Sequence, residues 1–146
     1  MSTMVKRSPP ARQPRPSPPS GRPEVLVDFT VRDGLLWVHL RNVGDGSAHQ
    51  VATAFDCPFH GIERSKAIPA MRLFRKVEFM PPGKAFDHFI DTLAGYVRRK
   101  QPLQLVATVR YRDGAGQRFE ARCAHDLRVY LELRTAGVIR STPQGE

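Results

Sequence analysis

The chain has 146 residues, with 23 lysines and arginines against 14 aspartates and glutamates, for a formal net charge of +9. That length fits one domain, and two cysteines, Cys57 and Cys123, exclude a disulfide-rich secreted scaffold. No apolar run reaches the roughly 18 residues that a membrane-spanning helix needs.

The charge is unevenly spread. Residues 1–23 hold Lys6, Arg7, Arg12, Arg15 and Arg22 with no acid, and residues 24–146 keep 18 bases and 14 acids. The same segment contains seven prolines, from Pro9 to Pro23. Proline lacks the amide donor and fixes φ, so neither helix nor central strand is expected there. Too little apolar surface is present to offset the entropy of ordering, and a disordered arm with polyproline II bias is predicted. Prolines 16 and 19 give P-x-x-P spacing, a ligand pattern for aromatic-lined grooves. The arm lacks the apolar stretch of a signal peptide, which sets the expectation of a cytoplasmic protein with reduced thiols.

From Glu24 the hydrophobic period becomes two. Val25, Val27, Phe29 and Val31 alternate with Leu26, Asp28, Thr30 and Arg32 and predict a first strand. Asp33-Gly34 is a two-residue hairpin signal. Leu36, Val38 and Leu40 mark the second strand, and Asn42 to Ser47 is turn chemistry. Val51, Thr53 and Phe55 form a third strand, ended by Pro58 and Gly61. A fourth is expected from Met71 to Met80 and, after the turn Pro81-Pro82-Gly83, a fifth from Ala85 to Phe89.

Asp91-Thr92-Leu93 caps an expected short helical turn reaching Arg98. Leu105, Ala107, Val109 and Tyr111 give the clearest strand, turned by Asp113 to Gly116 into Phe119, Ala121 and Cys123. Leu127, Val129, Leu131 and Leu133 continue the alternation as an extension or closing strand, and residues from Ala136 read as a frayed tail. Seven short strands with frequent turn signals predict an antiparallel sandwich, with a small barrel as the alternative. The expected organisation is an arm over 1–23, a sandwich over 24–135 and a tail over 136–146.

The stretch Trp37 to Phe55, reading W-V-H-L-R-N-V-G-D-G-S-A-H-Q-V-A-T-A-F, resembles bacterial immunoglobulin-like modules of the CARDB-like type, with their strand, N-x-G-x-G-x-A, strand pattern. Pro81-Pro82-Gly83-Lys84 is similar to the turn that follows in such modules. Leu105–Asp113 with Phe119–Leu127 is similar to their closing hairpin. The resemblance covers about 100 residues. It implies a seven-stranded immunoglobulin-like sandwich used for interaction or as a spacer, and it carries over no catalytic residue.

Cys57-x-x-His60 and Cys123-x-His125 together offer two thiolates and two imidazoles, a set zinc accepts. The spacing opposes it: Cys123 and His125 lie about 7 Å apart on one face of an extended strand. Cys123 reads better as a small core hydrophobe. Cys57 and Cys123 could be bridged only if their strands face across the core. A Cys57/His60 pair could in principle activate a thiolate, but a loop histidine beside a strand-end cysteine is the simpler account. Gly44-x-Gly46 is followed by no helix, so a phosphate cradle is not expected. No cofactor, metal or catalytic residue is predicted.

Basic clusters are the remaining candidates. Arg110, Arg112, Arg118 and Arg122 fall on outward positions of the last hairpin, interrupted by Glu120. Arg98, Arg99 and Lys100 form a run at the end of the helical turn, and Arg72, Arg75 and Lys76 a third group. With Lys6, Arg7, Arg12, Arg15 and Arg22 of the arm they would form an anion-binding face. Exposed arginines also keep sheet edges unpaired. The expected function is a non-catalytic protein-interaction or assembly module. The alternative is nucleic-acid or other polyanion binding through the arm and hairpin arginines.

Overall fold

Asp33 and Gly34 both take positive φ, 54° and 77°, and close a two-residue hairpin whose twist matches its strands. The structure is a computed structural model, and it describes residues 21–133. That hairpin joins β1 (Val25–Arg32) to β2 (Leu35–Asn42). β3 (Ala48–Phe55) follows, then α1 (Arg72–Arg75), β4 (Val77–Met80), β5 (Ala85–Thr92), α2 (Leu93–Arg98), β6 (Gln104–Arg112) and β7 (Arg118–Asp126). The expected arm up to residue 20 and the expected tail from Ala136 lie outside the described residues.

The strands form two antiparallel sheets, ordered β1-β2-β5 and β4-β3-β6-β7. This is the expected seven-stranded immunoglobulin-like sandwich. In constant-type immunoglobulin domains the fourth strand joins the sheet of the first, second and fifth; here it pairs with β3. Inward positions match the period-two reading: Val25, Val27 and Phe29 on β1, Leu36, Val38 and Leu40 on β2, and Leu105, Ala107 and Val109 on β6 are buried. Each of these valine, leucine and phenylalanine side chains contributes about 1.5–3 kcal/mol of burial, and Ala107 less. Phe29 on one sheet reaches Phe55 on the other through Phe59, with ring centroids 6.0 and 5.1 Å apart, and Phe74 continues the file at 5.1 Å.

Two expected strands differ. Residues 71–80 are not one strand: a 3-10 turn (Ile68–Ala70) leads into α1, and only Val77–Met80 is extended. The helical turn aims Phe74 at Phe55 and buries it completely. A short apolar run does not by itself separate the two periods. Residues 128–133 are helical rather than a strand extension. The last ladder bond runs from Leu127 N–H to the Leu103 carbonyl at 2.7 Å. Asp126 then accepts the Arg128 backbone N–H at 3.1 Å and its guanidinium at 2.7 and 2.8 Å, which starts the turn. These bonds, the side-chain ones first, hold the Asp126 carboxyl down at about 2.

The helical turn over Leu93–Arg98 is as expected, and within Asp91-Thr92-Leu93 the cap is Thr92, whose Oγ1 accepts the Gly95 N–H at 2.9 Å. Asp91 is 2% exposed and pairs with Arg99 at the far end of α2. The pair clamps the helix from end to end.

The folded body begins earlier than Glu24. The Arg22 carbonyl accepts N–H bonds from Asp45 at 3.0 Å and Gly46 at 3.2 Å, and the Glu24 carbonyl accepts Val43 N–H at 2.8 Å. Asn42, 1% exposed, organises this corner. Its Oδ1 accepts the N–H groups of Glu24 and Gly44, both at 3.1 Å. Its Nδ2 donates to the Gly46 and Met80 carbonyls, both at 2.9 Å. A Cβ on Gly44 would lie 2.2 Å from the Arg22 carbonyl oxygen, so glycine is required where the two backbones meet. Asn42→Ala strands four backbone groups at once. It is expected to cost about 3 kcal/mol in urea unfolding followed by Trp37 fluorescence.

Candidate interaction surface

The hairpin arginines stand where the alternation puts them. Arg110, Arg112, Arg118 and Arg122 are exposed on the outer face of the four-stranded sheet. Arg22 sits on the other side of the same hairpin, its guanidinium 5.3 Å from the ring centroid of the inward-facing Phe119, which stacks on Tyr111 at 5.6 Å. The root of the arm thus emerges against the β6–β7 hairpin. Lys6, Arg7, Arg12 and Arg15 lie outside the described residues.

The Arg98–Lys100 run is placed elsewhere. The α2 end adjoins the β1–β2 hairpin, where Leu93 N–H donates to the Gly34 carbonyl at 2.8 Å. The arm root is at the opposite end of β1, about 25 Å away for eight extended residues. Arg99 is already neutralised by Asp91, which leaves Arg98 and Lys100 exposed there. The α2 run and the hairpin arginines are therefore on separate parts of the surface.

The four sheet edges differ sharply. On β1 the Val27 carbonyl accepts from His125 Nε2 at 2.8 Å and the Phe29 carbonyl from the Tyr130 hydroxyl at 2.6 Å. The Phe29 N–H donates to Asp28 Oδ1 at 2.9 Å. Side chains thus occupy the middle of that edge. The β7 edge carries Arg118, Glu120 and Arg122, and β4 is only four residues long. β5 has eight residues. Asn42 exchanges backbone bonds with the turn before β5, donating to the Lys84 carbonyl and accepting Gly83 N–H, both at 2.9 Å. By alternation Phe86 and His88 pair with β2, and the backbone groups of Ala85, Asp87 and Phe89 point outward. Among the described residues the loop after β3 makes its backbone bond to this edge at Ile90, whose carbonyl accepts Ile62 N–H at 2.7 Å.

The outer face beside this edge holds a hydrogen-bonded chain that reading the sequence missed. Thr30 Oγ1 lies 2.6 Å from His39 Nε2, and His39 Nδ1 lies 2.6 Å from Asp87 Oδ1. The order matches a nucleophile, base and acid. Thr30 sits in a pair whose N–H and carbonyl serve the β1–β2 ladder, so its amide is not aimed at a developing oxyanion. The chain reads as a cross-strand polar ladder next to the edge-to-face rings of Trp37 and Phe89, 5.6 Å apart. The two-residue hairpin makes Thr30 and His39 diagonal neighbours by register alone; Asp87 needs the sheet order.

Cys57 and Cys123 are both unbridged. His125 is occupied with Val27 and packs edge-on to Phe29 at 5.0 Å. Burial first, and then Asp56, push the Cys57 thiol up, away from a reactive thiolate. Among the described residues no group of three or more metal-ligating side chains gathers, and no helix is long and apolar enough to cross a membrane.

The family described as "Domain of unknown function (DUF8453)" matches residues 7–131. The chain belongs to this family. No curated protein and no solved structure matches it. The DUF8453 match takes in the strands of the sandwich, the Asn42 corner and the β6–β7 hairpin.

One titratable group ties this region to pH. Burial holds the His88 imidazole below its ordinary 6.5. The unfolded chain therefore takes that proton more readily than the fold does. The contribution of neutral His88 is complete above about pH 6.5 and is lost as the pH falls through the unfolded value towards the lower folded one. Thermal melts from pH 7.5 to 5 should show Tm falling with acidification, and His88→Gln should flatten that slope.

Proposed function

We propose that this chain is a non-catalytic protein-interaction or assembly module that binds an extended partner segment along the outer edge of β5. The observation that carries this reading is the outward row of N–H and carbonyl groups at Ala85, Asp87 and Phe89. An added strand gains backbone hydrogen bonds there and lays alternate side chains beside Phe89 and Trp37. The resemblance of Trp37–Phe55 to CARDB-like modules supports the same class of role. The setting is the cytoplasm, where Cys57 and Cys123 stay reduced.

A second reading has its own support. The arm root is clamped against the hairpin that bears Arg110, Arg112, Arg118 and Arg122. A basic arm and a basic sheet face at one pole suit nucleic acid or another polyanion.

Two measurements separate the readings. Ala85→Pro removes an outward donor and leaves the β2 ladder intact. Pull-down from the native host should lose the partner by about tenfold or more while the Tm stays within a few degrees; unchanged capture would refute strand addition. For the second reading, binding to DNA should fall steeply with salt. Deleting residues 1–20 should lower the log–log salt slope by up to about 3–4, given Lys6, Arg7, Arg12 and Arg15. An unchanged slope would rule out the arm as a phosphate contact.

A further inference from the structure

Opposite-charge or neutral partners face each other along most of the β6–β7 ladder. Arg110 stands opposite Glu120 and bonds it at 3.0 Å; Thr108 stands opposite Arg122. The next pair breaks the pattern, because Arg112 stands directly opposite Arg118. Backbone bonds join Asp113 to Gln117 and Leu127 to Leu103, so alternation makes Arg112–Arg118 a non-hydrogen-bonded pair. Cα atoms in such a pair are about 4.5 Å apart, and their side chains run close together on one face. Like charges so placed destabilise a sheet. Glu120 is engaged by Arg110, and neither Arg112 nor Arg118 has an ion-pair partner among the described residues.

The space beside them is shaped by β3. A bulge between His49 and Ala52 puts Gln50 at φ 55° and ties its amide to Glu78 Oε1 at 2.9 Å. Ala52, opposite Arg110, leaves room. A groove of about 500 Å³ results, lined by Gln50, Ala52, Arg112 and Arg118 among others. A conflict of charge at one ladder position, bordered by a bulge that redirects a polar side chain, marks a functional position better than a structural one.

We infer that Arg112 and Arg118 form a seat for one phosphoryl group, free or carried on a larger molecule. Two forked guanidiniums match an anion with about two charges and three acceptor oxygens better than a single carboxylate. The seat rests on the reading of the hairpin arginines as an anion-facing surface and gives that surface one defined ligand chemistry.

The test is the melting midpoint of the full chain at constant ionic strength in chloride, acetate, inorganic phosphate or a short oligothymidylate. With phosphate about tenfold above its dissociation constant, Tm should exceed the chloride value by about 5 °C, with no comparable effect of acetate. Arg112→Gln and Arg118→Gln should abolish the phosphate shift, and each should raise the chloride midpoint by about 1–5 °C by relieving repulsion. Arg122→Gln, outside the pair, should keep the shift. Equal stabilisation by acetate, a shift that survives both pair variants, or no shift in phosphate overturns the seat. A response to oligothymidylate alone also overturns it, yet leaves the polyanion reading standing. If oligothymidylate too is without effect, both fail.

Discussion

One carboxamide holds the sandwich together at its N-terminal pole. Asn42 ends β2, and its side chain reaches the start of β1, the glycine corner and the last carbonyl of β4. It joins a strand of each sheet, so the relative placement of the two layers depends on it. All four of its hydrogen-bonding positions are used, which is the condition for burying an amide without penalty. Because Asn42 sets Glu24 and the glycines let the backbone approach, Arg22 is fixed against Phe119. The placement of the charged Arg22 follows from a residue that carries no charge.

A second buried polar device works at the other pole. Asp91 and Arg99 bracket α2, and Gly95 between them has no side chain to fend off the pair. An ion pair of this kind is weak evidence for net stability, but it defines where the helix starts and stops. Its consequence for recognition is subtractive: it withdraws a guanidinium from the surface and leaves Arg98 and Lys100 as the exposed members of the α2 run.

The parts of the fold legible in the sequence are those governed by local rules. Val25 to Phe29 and Leu105 to Tyr111 alternate over enough positions to specify strand and face together, and Asp33-Gly34 specifies the register between β1 and β2. Residues 68–76 were opaque, because Ile68, Leu73 and Phe74 suit either period until Phe55 and Phe59 supply the surface that Phe74 meets. Val129 to Leu133 alternate like a strand, but Asp126 and Arg128 form a local cap that starts a helix. The hairpin arginines were legible because outward positions follow from the inward ones. Their pairing was not, since Arg112 facing Arg118 depends on the five-residue connection between them, and Arg99 looked free until Asp91 was brought across α2.

The Tyr130 hydroxyl on the Phe29 carbonyl has a consequence for how many adhesive borders the body offers. His125 and Tyr130 occupy the Val27 and Phe29 carbonyls of β1, so among the described residues the strand addition proposed above is left with the outward groups of Ala85, Asp87 and Phe89 on β5. Without that clasp the same unit would have two such borders, on opposite flanks of one sheet, and could chain end to end into ribbons. The helical residues after β7 thus take one flank of that sheet out of use for the strand addition proposed above.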